Sequence, residues 1–196
     1  PPTIGPQLVN YFPEIESAAR FYQRSISIEI PNTAQQFELD NVFFVDSNAT
    51  EVFDFKFLAG NAVDPLYQPK SIILTDETAL QLFGTIDVIG NSLRLAGTDG
   101  FHVVAVVESW PDNAHLEFSM LLPYEAMLDV EPAEAREITQ SVLENNWIAT
   151  HSYTYVLLRP NQTAKKVNEK FKDFILEKGD ERFRDKQTFS LLPITA

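Results

Sequence analysis

Chemistry in a chain of this kind rests on a few versatile side chains, and the sequence supplies only a few. Its three histidines are His102, His115 and His151. None stands three or four residues from another, the spacing that sets two ligands on one helix face, so a histidine-based metal site has no support. His102 lies in an alternating stretch and is expected to face solvent. Cysteine is absent, which excludes disulfides and thiol catalysis. A serine nucleophile on a strained elbow calls for Gly-x-Ser-x-Gly, and the seven glycines never take that spacing. Neither Gly-x-Gly-x-x-Gly nor Gly-x-x-x-x-Gly-Lys occurs, so nothing cradles a nucleotide phosphate. Carboxylates stand close together at Glu14 with Glu16 and at Asp76 with Glu77. Acid–base catalysis needs two carboxylates in contrasting environments, and nothing marks such a pair. Solvated surface is the plainer reading. The sequence therefore nominates no catalytic residue, no cofactor-binding residue and no metal ligand.

One stretch still has the shape of a site. "SIILTDETALQLFG" (71–84) reads as a strand that runs straight into a short helix, a junction where active sites and anion sites often lie. An anion site there uses free N–H groups and the positive end of the helix dipole. Asp76 and Glu77 already occupy that first turn and would repel an anion. Only Thr75 and Thr78 carry hydroxyls at the turn. The stretch is therefore expected to be scaffold, with Thr75 as the cap, Ala79, Leu82 and Phe83 turned inward, and Gly84 as the stop.

The remaining elements follow from periodicity and breakers. A short helix is expected over 5–12, with Pro6 near its start and Pro13 beyond its end. Residues 14–30 are ambiguous: "ESAAR" favours helix, and "SISIEI" alternates as a strand. Strands are expected over 36–46, 116–123, 152–160 and 187–194. In 49–60, Phe53, Phe55 and Phe57 fall on one side of an extended segment, or a helical turn leads into it. Residues 61–70 form a loop with two prolines. Residues 87–109 predict a hairpin in which Gly97-Thr98-Asp99-Gly100 makes the turn and Phe101 to Val107 returns. Residues 124–147 are helical in part, interrupted by Pro132. Residues 161–180 predict one helix, with Ala164, Val167, Phe171, Phe174 and Ile175 on one face and Gly179 closing it. This is an α+β pattern, because the helices are too few and short for a regular alternating sheet.

Composition narrows the function classes. With 44% hydrophobic residues, 12% aromatics and 15 Phe in 196 residues, the chain can bury a substantial core. The net charge of −13 argues against nucleic acid and against anionic lipid as partners. That charge is uneven: residues 71–130 hold nine acids and only Arg94. No apolar run approaches the roughly 20 residues that span a bilayer, and no signal peptide is visible. The chain is read as a soluble domain cut from something longer, or as a mature product. Asn48-Ala-Thr and Asn161-Gln-Thr are formal glycosylation sequons, relevant only in a eukaryotic secretory pathway.

Several stretches together resemble the MacB-type periplasmic core domain found in bacterial ABC transporter permeases with FtsX-like membrane segments. They are "FFVD" (43–46), "VFDF" (52–55), "SIILTDETALQLFG" (71–84), "DVIGNSLRL" (87–95) and "FHVVAVVESWPDNAHLEFSMLLP" (101–123), then Trp147 with "YTYVLL" (153–158), and "LLPI" at 191–194. The resemblance runs from about residue 6 to the end. Val88 stands where the family usually has Pro, and Asn61 where an acid is common; both are turn positions. The resemblance implies an α+β fold with two α/β subdomains. A porter-like one is built from both chain ends (1–58 and 131–196), and a smaller Sabre-like one is inserted between them (59–130). It implies no active site, because ATP is hydrolysed by a separate cytoplasmic domain. It also implies a second permease copy as partner, a periplasmic adaptor in some members, and a place on the periplasmic side of a bacterial inner membrane. The two chain ends should then lie on one side, with "TFSLLPI" in a sheet beside the segment Ala18 to Tyr22. The competing classes are an independent periplasmic ligand-binding module and a hydrolase with an unrecognised site.

Overall fold

Four stretches are apolar almost without interruption: Val42 to Val45, Ser71 to Leu74, Phe101 to Val107 and Met120 to Leu122. A strand of that kind needs cover on both faces. In the computed structural model, which describes residues 1–60, 63–111, 114–148, 152–182 and 184–194, each of them is a strand between two apolar cores. In chain order the elements are α1 (Ile4–Tyr11), β1 (Ile15–Glu29), β2 (Gln36–Val45), α2 (Ala49–Val52), β3 (Phe57–Gly60), β4 (Ser71–Thr75), α3 (Asp76–Phe83), β5 (Ser92–Leu95), β6 (Thr98–Val107) and β7 (Met120–Pro123). A 3₁₀ turn (Tyr124–Met127) follows, then α4 (Arg136–Asn145), β8 (Ser152–Leu158), α5 (Ala164–Asn168) and α6 (Phe171–Lys178). The class is mixed α+β, as the sequence predicts.

The strands form one mixed sheet in the order β2-β7-β4-β6-β5-β1-β8, with β3 on β6. β1 also pairs with β2, so six strands close on themselves. Alternation then sends neighbouring side chains to different cores. Val42, Phe44, Ile72, Leu74, Phe101, Met120 and Leu122 fill the inside of the ring. Phe43, Val45, Ile73, Ala105, Val107 and Leu121 point outward and are covered by Phe55, Leu66, Leu116, Phe118 and Tyr155. A third cluster lies among the helices: Ile4, Leu8 and Phe12 against Trp147, Val167, Phe171, Phe174 and Ile175. β3 runs across residues 58–59, and strands from 59–130 pair with the N-terminal strands, β7 with β2 and β5 with β1.

Several elements differ from expectation. Of residues 14–30, Ile15–Glu29 is one strand, because β1 is paired along one edge by β2 and along the other by β8 and β5. Pairing with β8 overrides the helix preference of "ESAAR". The hairpin turns on Ala96 (φ 47°) and Gly97 (φ 79°), and Leu95 pairs with Thr98. That is a two-residue turn with both φ positive. Gly100 (φ 93°) falls where the β5–β6 register shifts, so it serves a bulge rather than the turn. Only Met120–Pro123 of the expected 116–123 strand joins the ladder, while Leu116 and Phe118 are buried in the outer core.

The expected 161–180 helix is two helices. The Lys170 N–H donates to Val167 O, an i→i−3 bond that tightens the turn between them. Residues 187–194 form no strand. Asn168 takes the place of a neighbouring strand there: its amide donates to Leu191 O (3.1 Å), and the Leu191 N–H donates to Asn168 Oδ1 (2.7 Å). The edge of β1 from Ala18 to Tyr22 is instead occupied by β8.

Candidate functional site

The junction at 71–84 is built as its sequence dictates. Thr75 caps α3, accepting from the Thr78 N–H at 3.2 Å, and Gly84 ends the helix. Ala79 and Leu82 are buried, and Phe83 packs against the inner core. Asp76 has a use the sequence did not disclose. Its Oδ1 accepts from the N–H (2.8 Å) and the hydroxyl (2.6 Å) of Ser109, just beyond β6. These donors, the hydroxyl first, hold its carboxyl below the usual carboxylate range. Asp76 is thus engaged in fastening one loop, Glu77 is exposed, and nothing converges on the turn as a reaction centre.

A second charged group joins four segments. Arg20, on β1, donates to Asp46 through Nε (2.9 Å) and Nη2 (2.6 Å), and through Nη1 to Pro2 O (2.8 Å). Its guanidinium lies 3.8 Å from the centre of the Tyr124 ring. The two side chains are only 12% and 17% exposed. A planar fork matched to a carboxylate fits these demands, and a lysine would not. Beyond the acid of "FFVD", which belongs to a motif, the sequence gives no sign of this pair. Burial pushes the Tyr124 hydroxyl up to about 12.

The ends of the chain meet at the helical cluster. Phe12 rings lie 5.2 Å from Phe171 and 5.3 Å from Phe174, and Phe189 and Leu191 pack on the same cluster. Thr3 Oγ1 donates to Asn146 O, and the Gln187 amide to Trp147 O. Lys170 pairs with Glu14, whose carboxyl it holds below the usual range. The first helix and the last described segment therefore share one side of the molecule. Residue 196 lies outside the described residues.

Two open grooves among the described residues bear on function. One, of about 760 Å³, lies over the β1–β2 bulge, and four of its polar side chains pair with each other: Gln23 with Asn41, and Ser25 with Asp40. The other, of about 730 Å³, runs between β8 and residues 190–194. Tyr153 and Tyr155 lie in its floor, with His115 edge-on to both rings. His102 is half-buried on β6, and His151 falls outside the described residues. Among the described residues no three His, Asp or Glu side chains gather as a metal site.

The fold and these surfaces can be set beside known proteins. The model of the MacB-like periplasmic core domain matches residues 2–174. The chain belongs to the MacB-like periplasmic core domain family. These domains are the extracytoplasmic parts of ABC transporter permeases.

Among solved structures the chain is similar to a domain of a protein assigned as a permease from Porphyromonas gingivalis. The TM-score is 0.76 at 21% identity, over 98% of this chain and 82% of that one. It is also similar to the periplasmic region of MacB from Actinobacillus actinomycetemcomitans, with TM-score 0.60 and 14% identity over 87% and 71%. The extracellular domain of the noncanonic ABC-type transporter YknZ from Gram-positive bacteria follows, with TM-score 0.54 and 13% identity over 83% and 75%. At these identities the likeness is one of fold. No curated protein matches the sequence. Among the described residues no helix of this MacB-like domain is long and apolar enough to cross a membrane.

Proposed function

We propose that this MacB-like domain couples ATP hydrolysis, carried out by a cytoplasmic ATPase, to export or mechanical work on the periplasmic side of a bacterial inner membrane. It performs no chemistry of its own. Its partners are a second copy of the permease, the ATPase and, in some settings, a periplasmic adaptor. Residues 1–58 and 131–196 form the porter-like part, and residues 59–130 the inserted Sabre-like part. The observation that carries this reading is the meeting of α1 and the last described segment in one helical cluster, where α1, α6, Phe189 and Leu191 pack together and residues 187–191 hydrogen-bond to Trp147 and Asn168. Force entering at either end would reach the sheet through a rigid joint. An independent ligand-binding module is less well supported, because both grooves are open and neither encloses a small molecule.

These 196 residues hold no cysteine, so with any other cysteines of the full protein replaced, one introduced thiol reports its own location. Ile138, 69% exposed on α4, is suited to Ile138→Cys in the native gene. Spheroplasts should label at this position with a membrane-impermeant maleimide, and the labelled protein should sediment with membranes. Labelling that requires lysis would overturn the extracytoplasmic reading.

A further inference from the structure

The groove beside β8 has features that the transport reading does not use. β8 meets β1 on one edge only, and among the described residues no strand pairs with its other edge. The direction of its backbone groups follows from its neighbour. The Arg20 N–H and C=O are directed to Asp46, and Ala18 O to Asn48, so these β1 residues face away from β8. Ala19 and Phe21 therefore bond to Tyr155 and Tyr153, their partners in register. The N–H and C=O groups of Thr154 and Val156 must then point outward, into the groove, where they have no partner among the described residues.

The walls define what fits. Among the described residues no Asp, Glu, Lys or Arg lines the groove, in a protein with 22% charged residues. Leu192 and Ile194 edge it at 82% and 57% exposure. The buried Tyr155 hydroxyl lies in its floor with no hydrogen-bond partner among the described residues, and burial raises its pKa. Residues 190–194 line the groove together with β8, and its volume of about 730 Å³ suits a short extended segment better than a folded domain. The net charge of −13 further opposes a second copy.

We propose that the outer edge of β8 is a docking site for an uncharged, extended apolar segment of another protein, which adds as a strand through Thr154 and Val156. The segment places apolar side chains between Tyr155 and Leu192. The proposal rests on the groove alone and stands whether or not the domain transmits force.

The probe is a short capped peptide of alternating valine and threonine, ended with one lysine for solubility, titrated into the 196-residue chain. Saturable binding is expected, with amide NMR shifts centred on Thr154 and Val156. Methylating alternate peptide nitrogens should weaken it by about tenfold or more, because the ladder cannot form. Thr154→Pro should do the same while leaving the fold intact, since that N–H is not used by β1. The methylated peptide keeps the test valid if the proline variant fails to fold. No saturable binding, equal affinity for the methylated peptide, or shifts centred elsewhere would each overturn the proposal. So would binding seen only after truncation beyond Leu191, which would make the protein's own tail the occupant, or pairing of two copies through this edge.

Discussion

Asp76 shows how a side chain that looks catalytic in sequence can be structural in the fold. It sits at the start of α3 and binds both donors of Ser109 through one oxygen. Its carboxyl is held below its ordinary value, so its contribution to stability has a defined sign. The stabilisation is present above the unfolded-state pKa of about 3.9 and is lost as pH falls through the lower folded-state value. Asp76→Ala should cost roughly 1 kcal/mol at neutral pH. Urea denaturation of that variant between pH 7 and pH 3 should show a shallower loss of stability in acid than the parent. An identical acid limb would mean the Ser109 contact is not formed in solution. The acidic first turn and the cap at Thr75 were legible because both are local signals. The partner at Ser109 was not, since 33 residues separate the pair. The Arg20–Asp46 tie, 26 residues apart, was missed for the same reason.

At the scale of elements, the hairpin gives a sharper test. Gly100 lies at φ 93°, and a Cβ there would meet only the Lys70 side chain, at 3.6 Å or more. Space is available, so the cost of a larger residue is conformational. Gly100→Val should destabilise by about 1–3 kcal/mol. A thermal melt unchanged from the parent would show that the bulge relaxes to another geometry at no cost. Strands covered on both faces and the α3 cap could be read directly from sequence. The ambiguous 14–30 segment could not, because its state is decided by edge pairing with β2 and β8. The segment 187–194 is as β-prone as any strand in the chain. It remains outside the sheet because β8 holds the edge of β1 that it would need, and Asn168 satisfies Leu191 instead. The free edge of β8 was equally invisible, since it is a property of topology.

At the scale of the whole molecule, the family resemblance implies that the chain ends lie on one side, and α1, Phe189 and Leu191 do pack on one cluster, residue 196 lying outside the described residues. In isolation the domain should be a monomer or a weak dimer, because its net charge of −13 repels a second copy. Sedimentation at micromolar concentration should show one small species; a tight, salt-insensitive dimer would refute this. The central claim is that the domain moves in response to a nucleotide bound on the far side of the membrane. Spin labels on Ile138→Cys, one per copy of the intact permease with its ATPase, would report that motion as a distance between the two domains. The account predicts that the distance distribution shifts between the nucleotide-free and ATP-bound transporter. Identical distributions in the two states, in a preparation that still hydrolyses ATP, would contradict it.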